Sequence, residues 1–124
     1  MSLGSFDSTP RFAHDRLDAY RVAREALVSG EAIARGLPRG YGALADQLRR
    51  AQLSALLNIA EAASRTGADR LARFRCARGE VSEAAAALDA VLALGLADEA
   101  RVRPVIALSG RLYAMLTRLA KAQA

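Results

Sequence analysis

The chain has 124 residues, 52% of them hydrophobic and 5% aromatic, and its 18 basic residues outnumber 13 acidic ones to give a formal charge of +5. This length is enough for one hydrophobic core, and a sequence rich in Ala and Leu favours helices over strands. A single cysteine, Cys76, excludes an internal disulfide, and no cofactor is expected. No apolar run reaches the roughly 20 residues that cross a bilayer, and no secretory signal pattern is present, so we expect a cytoplasmic protein without a membrane partner.

The first half of the chain predicts a lead-in followed by two helices. Residues 1–14 contain Ser, Gly and Pro and predict a flexible N-terminal lead-in, whereas residues 15–122 predict the folded domain. Asp15 can cap a first helix that ends near Arg35. A turn rich in Gly separates it from a second helix, predicted over residues 43–65.

The third and fourth helices are marked by their ends. Residues 66–69 have the spacing of a capping box, with Asp in place of the preferred Glu or Gln. Leu94-Gly95 predicts a left-handed C-cap, and Asp98 can cap the fourth helix. Pro104 either lies in the first turn of that helix or kinks a helix already begun at Asp98. Four helices with short connections predict an all-α, antiparallel up-down four-helix bundle.

The second helix separates polar from apolar side chains, and its polar side chains fall in one narrow stripe. They are Gln47, Arg50, Ser54, Asn58, Glu61 and Arg65. Apolar side chains cover most of the remaining circumference, roughly twice the apolar arc of about 100° that a helix of a monomeric bundle needs. We therefore expect a second subunit to bury the excess, which predicts a homo-oligomer.

Arg49 and Gln52 point into this apolar arc. A buried arginine needs a carboxylate partner, because a stranded charge is strongly destabilising. The candidates are Glu61, Glu80 and Glu83, within the bundle or across a subunit boundary. Alternatively, the side chain of Arg49 extends to the rim of the core.

A stretch of the second helix resembles the motif of a known family. Residues 44–65 read LADQLRRAQLSALLNIAEAASR, which is similar to the segment LxxQLRRAxxSxxxNIAEGxxR of the 23S ribosomal RNA intervening-sequence proteins. Residues 17–20 stand at the place of their first-helix L-x-x-W/Y element, and residues 73–83 resemble their third-helix element RFLxIARGSxxE. The chain departs from the pattern at Ala62, where the family has Gly, and at Glu80, where it has Ser.

The resemblance covers residues 12–120 and implies a four-helix bundle assembled into a homopentameric ring. A related group includes the accessory variability determinants of diversity-generating retroelements, basic pentamers that bind nucleic acid and contact a reverse transcriptase. The motif and the polar pattern together mark a set of candidate structural or interface residues. These are Arg49, Arg50, Asn58, Glu61 and Glu83.

Nucleic-acid binding is the leading functional hypothesis. Five arginines follow one another at the end of the second helix and the start of the third, with Asp69 as the only acid nearby. These candidate nucleic-acid-binding residues are Arg65, Arg70, Arg73, Arg75 and Arg78. Such a cluster favours phosphate contacts to RNA or DNA with little sequence specificity. Because Phe74 is the only aromatic residue nearby in the sequence, the cluster argues against dedicated base stacking.

A structural role for the same arginines is the alternative. Arg65 lies one turn after Glu61, which is a favourable spacing for an ion pair, and Arg73 and Arg78 can form structural ion pairs with Glu80 or Glu83. Structural ion pairs of this kind would use the positive charge inside the protein rather than offer it to a ligand.

The remaining functional classes are a scaffold and an enzyme. A scaffold ring would dock a partner enzyme without binding nucleic acid. Arg70 and Arg75, which the family motif does not require, discriminate best between nucleic-acid binding and the alternatives. Catalysis is the weakest candidate, since His14 is the only histidine and neither a Glu-x-x-His metal motif nor a Gly-rich phosphate loop is present. We therefore expect a protein that binds and is not an enzyme.

Overall fold

A computed structural model describes residues 12–121 of the chain. Four α-helices form most of this part. They are α1 (Asp18–Arg35), α2 (Gly42–Ala63), α3 (Gly67–Ala93) and α4 (Glu99–Leu119). A short 3-10 helix over Ala13–Arg16 precedes α1 and lies against α1 and α2. Most of the predicted lead-in, residues 1–11, and the predicted domain end at residue 122 lie outside the described residues.

The helices pack in antiparallel order around one core. α1 and α3 each pack against both α2 and α4. Arg49 of α2 contacts Glu31 of α1, and three residues further along α2, Gln52 contacts the earlier residue Ala26. The same reversal of direction relates α3 to α2 and to α4. The prediction of an all-α four-helix bundle is confirmed.

The two later helices begin in different ways. Asp98 caps α4, as predicted, because its Oδ1 accepts a hydrogen bond from the backbone N–H of Ala100 at 3.2 Å. The capping box predicted for α3 does not form, since the N-cap Thr66 makes no side-chain cap hydrogen bond. The carboxylate of Asp69 instead binds the guanidinium of Arg65 at 2.7 Å. This contact joins two charged groups, whereas a capping box would pair the carboxylate with an uncharged backbone N–H.

Three further sequence predictions concern α1, α3 and α4. Asp15 is not the cap of α1, whose N-cap is Leu17; Asp15 belongs to the preceding 3-10 helix, where its Oδ2 accepts from the N–H of Phe12 at 3.0 Å. The C-cap predicted for α3 is confirmed, because Gly95 adopts a φ of 64° in the left-handed region. Pro104 lies inside α4, which begins at Glu99 and continues through the proline.

The core is apolar along the whole bundle. Its largest fully buried side chains come from α2, α3 and α4. They are Leu48, Ile59, Phe74, Leu88, Val91, Val102 and Leu116. Helix α1 contributes mainly small residues, which allow its backbone to approach the other helices closely. None of the helices in the described part of the chain is long and apolar enough to cross a membrane.

One polar side chain is buried where α1 crosses α2. Gln52 is only 5% exposed, and its Nε2 donates a hydrogen bond to the backbone oxygen of Ala26 at 3.0 Å. Its carboxamide occupies the space beside Gly30, where a Cβ atom would lie 2.0 Å from Oε1 of Gln52. Gly30 therefore makes room for a buried amide that would otherwise have no place in the core.

Candidate nucleic-acid interface

Four of the five candidate arginines lie near one end of the bundle, where α2 ends, α3 begins and α4 ends, and Arg78 lies further along α3, beside Tyr113 of α4. We call this region the basic end and define it by Arg65, Arg70, Arg73, Arg75 and Arg78. Arg75 is exposed, and the other four are half-buried. The antiparallel order of the helices produces this grouping, because it places the C-termini of α2 and α4 beside the N-terminus of α3.

Arg65 and Arg73 share carboxylate partners. Nitrogens of Arg65 lie 3.0 Å from Oε1 of Glu61 and 2.7 Å from Oδ2 of Asp69, so the ion pair predicted from the spacing with Glu61 is present. The hydrogen bonds that Arg65 donates to Asp69 and then to Glu61 raise its pKa, the bond to Asp69 having the larger effect. Nε of Arg73 lies 3.9 Å from the same Asp69, rather than near either of the two acids proposed for it. Arg65 is therefore the arginine most fully committed to structure.

Arg70 and Arg75 contact the C-terminal carbonyls of neighbouring helices. Nη1 of Arg70 lies 3.4 Å from the backbone oxygens of Ala62 and Ala63 at the end of α2. Nη2 of Arg75 lies 3.2 Å from the backbone oxygen of Ala120, just after α4. A positive charge is stabilising at a helix C-terminus. Both arginines thus stabilise helix ends, yet each uses only one of its nitrogens in these contacts and keeps further donors.

Two aromatic rings lie beside arginines of the basic end. The guanidinium carbon of Arg70 is 5.2 Å from the ring centroid of Phe74, but Phe74 is fully buried. The guanidinium carbon of Arg78 is 5.8 Å from the ring centroid of Tyr113, whose side chain is 43% exposed. The sequence reading missed Tyr113, which is far from the arginines along the chain. The sequence signal that could have identified Tyr113 is its position directly after the core residue Leu112, at the edge of the buried face of α4.

The polar stripe of α2 lies along α3. Nε2 of Gln47 donates to Oε1 of Glu83 at 3.0 Å, and Oγ of Ser54 donates to Oε2 of Glu80 at 3.1 Å. Nδ2 of Asn58 donates to the backbone oxygen of Ser54 at 3.0 Å. Arg50 donates to the side chain of Gln47. These contacts give Arg50, Asn58 and Glu83 partners within the chain and join α2 to α3.

Arg49 pairs with an acid that the sequence reading did not consider. Its Nε and Nη2 lie 2.8 Å and 3.1 Å from the two carboxylate oxygens of Glu31 on α1. The proposal of Glu61, Glu80 or Glu83 as its partner is therefore wrong, because Arg49 lies on the side of α2 that faces α1 rather than α3. The side chain of Arg49 is 40% exposed, so it reaches the rim of the core, as the alternative reading proposed. Its hydrogen bond lowers the pKa of Glu31, while burial opposes this shift.

The broad apolar arc of α2 is buried in part by its own bundle. Leu48, Leu56 and Ile59 are buried, whereas Leu53 is 47% exposed and Leu57 is 57% exposed. The two exposed leucines lie one turn apart on the same face of the helix. They are the exposed part of the apolar arc, on which the prediction of an oligomer rests.

Between residues 12 and 121, no three His, Cys, Asp or Glu side chains are grouped so that they could hold a metal ion. The ring of His14 packs against Tyr20 at 4.4 Å between centroids and lies 3.7 Å from a carboxylate oxygen of Asp15. The only histidine therefore lies beside the start of α1.

The fold and the site together define a helical bundle protein with a strongly basic end. The sequence model of the family described as 23S rRNA-intervening sequence protein matches residues 15–118. The chain belongs to this family, which confirms the resemblance seen in the motif of α2. A comparison with curated proteins gives no match.

Proposed function

We propose that this protein binds nucleic acid through its basic end and catalyses no reaction. The observation that carries the proposal is the imbalance of charge at the junction of α2, α3 and α4. Five arginines lie at or near this junction, and the acids that contact them among the described residues are Glu61 and Asp69. Lys121, two residues beyond the end of α4, adds a further exposed positive charge. A positive surface of this kind favours phosphates of RNA or DNA, with little dependence on base sequence.

The arginines differ in how much of their hydrogen-bonding capacity remains for a ligand. Arg65 is held between two carboxylates. Arg73 is 3.9 Å from one acid, Asp69, and Arg75 uses one nitrogen to contact the backbone oxygen of Ala120. Arg78 contacts the ring of Tyr113, which uses none of its N–H donors. A guanidinium group has five donors in a planar fork suited to phosphate. We therefore assign the phosphate contacts to Arg73, Arg75 and Arg78.

The strength of the salt dependence tests this assignment. A site that neutralises three phosphates of a duplex should lose affinity about fortyfold between roughly 50 and 200 mM salt, because bound counterions are released on binding. We would measure fluorescence anisotropy of labelled structured RNA, duplex DNA and single-stranded DNA at both salt concentrations. No binding to any of the three at low salt would refute the proposal.

The variant for this experiment is Arg73→Gln combined with Arg78→Gln. We expect it to weaken binding strongly at low salt and to lower the salt slope by about two phosphate contacts. The matched control is Arg39→Gln combined with Arg101→Gln, which removes the same charge from two exposed residues at the opposite end of the bundle. Equal losses of affinity in the two double variants would show that binding depends on the overall charge of the protein and not on the basic end.

Arg70 and Arg75 are less suitable for this test than their absence from the family motif suggested. Their replacement would remove donors from the C-termini of α2 and α4. A loss of binding in Arg70→Glu combined with Arg75→Glu could then result from a change in the bundle. Arg73 and Arg78 make no such backbone contact among the hydrogen bonds of the described residues, so their substitution reports on binding more directly.

We also propose that the protein is a homo-oligomer, and that it is a pentamer, as the family resemblance implies. The half-exposed Leu53 and Leu57 support a contact with a second copy, because burying the rest of both side chains would contribute about 1.5–3 kcal/mol per copy. In a closed ring the basic end would be repeated by symmetry. Light scattering should give the mass of five chains. Leu53→Gln with Leu57→Gln should lower that mass, whereas Leu94→Gln, which changes another exposed leucine, should not.

A scaffold that docks a partner enzyme is the second candidate function. The same two leucines favour it if they stay exposed in solution, since an apolar patch on a soluble surface marks an interaction site. An assembled ring that leaves these leucines exposed and binds none of the three nucleic acids at low salt would support the scaffold ring over the nucleic-acid-binding ring.

A further inference from the structure

We infer that Tyr113 and Arg78 form a stacking site for an unpaired base of single-stranded nucleic acid. This inference rests on the proposed function, because the phosphates of the bound strand would be held by the arginines of the basic end. It adds a second type of contact, made with the flat face of a base. The sequence alone argued against base stacking, since it offered only Phe74.

The geometry separates Tyr113 from Phe74. Both rings lie within about 6 Å of an arginine guanidinium, the range of a cation–π contact. Phe74 is fully buried and cannot meet a ligand, whereas 43% of the Tyr113 side chain is exposed. Tyr113 is thus an exposed aromatic residue in direct contact with an arginine of the basic end.

Arginine and tyrosine side by side are the elements of a single-strand binding surface. Successive bases stack on aromatic rings, arginine guanidiniums add cation–π contacts, and a positive groove follows the phosphates. Arg75 extends this surface, because it reaches the backbone oxygen of Ala120, which is seven residues beyond Tyr113 and just after α4. Seven helical residues span about 10 Å, so Arg75 and Arg78 can contact different phosphates of one strand.

The stacking site predicts a preference for unpaired strands. In a duplex the flat faces of the bases are covered by their neighbours, whereas an unpaired base can be splayed out against an aromatic ring. Phosphate contacts alone would not distinguish single-stranded from duplex nucleic acid in this way. Strand preference therefore reports on Tyr113, and salt dependence reports on the arginines.

The experiment compares Tyr113→Ala and Tyr113→Phe with the wild-type protein. The ligands are single-stranded RNA, single-stranded DNA of the same sequence, and duplex DNA. We expect Tyr113→Ala to weaken binding of both single strands by about 5- to 150-fold, the effect of losing one stacked base, and to leave duplex binding and the salt slope unchanged. Tyr113→Phe keeps the ring and should bind like the wild type. A larger loss with one of the two single strands would identify RNA or DNA as the preferred source of the base.

A control and a direct optical readout complete the test. Tyr41→Ala removes another exposed tyrosine, which lies at the start of α2 at the opposite end of the bundle, and should leave binding unchanged. A strand that carries 2-aminopurine should lose fluorescence when the base stacks on the wild-type protein or on Tyr113→Phe, but not on Tyr113→Ala. The melting temperature and mass of each variant establish that the bundle is intact.

The outcomes separate the two levels of the proposal. If Tyr113→Ala weakens single-strand and duplex binding equally, or changes neither, the stacking site is refuted while binding through the arginines stands. If the wild-type protein binds none of the ligands, both the stacking site and the proposed function are refuted.

Discussion

Polar side chains are held in opposite ways at the middle of the bundle and at its basic end. In the middle, the amide of Gln52 is buried against Gly30 and bonded to the backbone of Ala26, so packing leaves it a single position. At the basic end, guanidinium groups reach out from helix surfaces and several contact helix ends with only part of their donors. The middle is built for one packed arrangement, whereas the basic end holds positive charge at the surface with donors to spare.

The largest effect should follow from filling the space beside Gln52. We expect Gly30→Ala to lower the free energy of unfolding by about 1–3 kcal/mol, because the added methyl group displaces a buried amide from its hydrogen bond. Urea denaturation at one fixed protein concentration measures the change. In Gly110→Ala the new methyl group meets no atom within 4 Å, and the better helix propensity of Ala should raise stability by up to about 1 kcal/mol.

A double variant isolates the contact itself. Gly30→Ala combined with Gln52→Ala should cost less than the sum of the two single changes, since the amide is then absent. Additive costs, or a Gly30→Ala protein as stable as Gly110→Ala, would show that Gln52 relocates freely and that the middle of the bundle is less constrained than its geometry indicates.

The N-caps of α4 and α3 compare the two ends of the bundle, with smaller expected changes in stability. Asp98, at the end of the bundle opposite the arginines, accepts the cap hydrogen bond of α4, so Asp98→Ala should destabilise the protein by about 1 kcal/mol. Thr66, at the basic end, makes no side-chain cap bond, so Thr66→Ala should change stability by less than about 0.5 kcal/mol. Thermal denaturation of the two variants gives the ranking. Equal losses would mean that Thr66 caps α3 in solution.

A single isosteric change tests whether the basic end contributes more to nucleic-acid binding than to the stability of the protein. Asp69→Asn removes the carboxylate that contacts Arg65 and Arg73. We expect it to lower the free energy of unfolding by less than about 1 kcal/mol, because exposed ion pairs contribute little. We also expect tighter binding of nucleic acid, by roughly two- to fivefold at low salt, since one repulsive charge contributes up to about 1 kcal/mol. Weaker binding in an anisotropy titration would instead assign Asp69 a role in positioning the arginines.

The smallest effect concerns acid stability at the contact between α1 and α2. The hydrogen bond from Arg49 lowers the pKa of Glu31 below the usual value of a glutamate side chain. As pH falls below that value, the unfolded chain takes up the proton before the folded protein does, which favours unfolding. The stabilisation is complete above the unfolded pKa and is lost as pH falls through the lowered folded pKa. Glu31→Gln should therefore flatten the decline of melting temperature in acid; an unchanged pH profile would contradict the contact.

The sequence was sufficient to predict the four-helix architecture, because the signals that start, continue and end a helix are local. Periodic apolar residues and three short breaks predict four helices, and capping chemistry at Leu94-Gly95 and Asp98 places two of their ends correctly. Where two local signals compete, the prediction failed. Asp69 has the spacing of a capping residue, but Arg65, one turn earlier, binds its carboxylate.

Contacts between helices were decided by the tertiary structure. The sequence indicated that Arg49 needs an acidic partner. Helix patterns alone do not distinguish one acid from another, and the packing of α1 beside α2 determines that this partner is Glu31. The position of Gly30 beside Gln52, and of Tyr113 beside Arg78, depends in the same way on which turns of two helices meet. Helix periodicity determines which face a side chain occupies, but the vertical register and rotation of each neighbouring helix, set by packing the whole core, determine what that face meets.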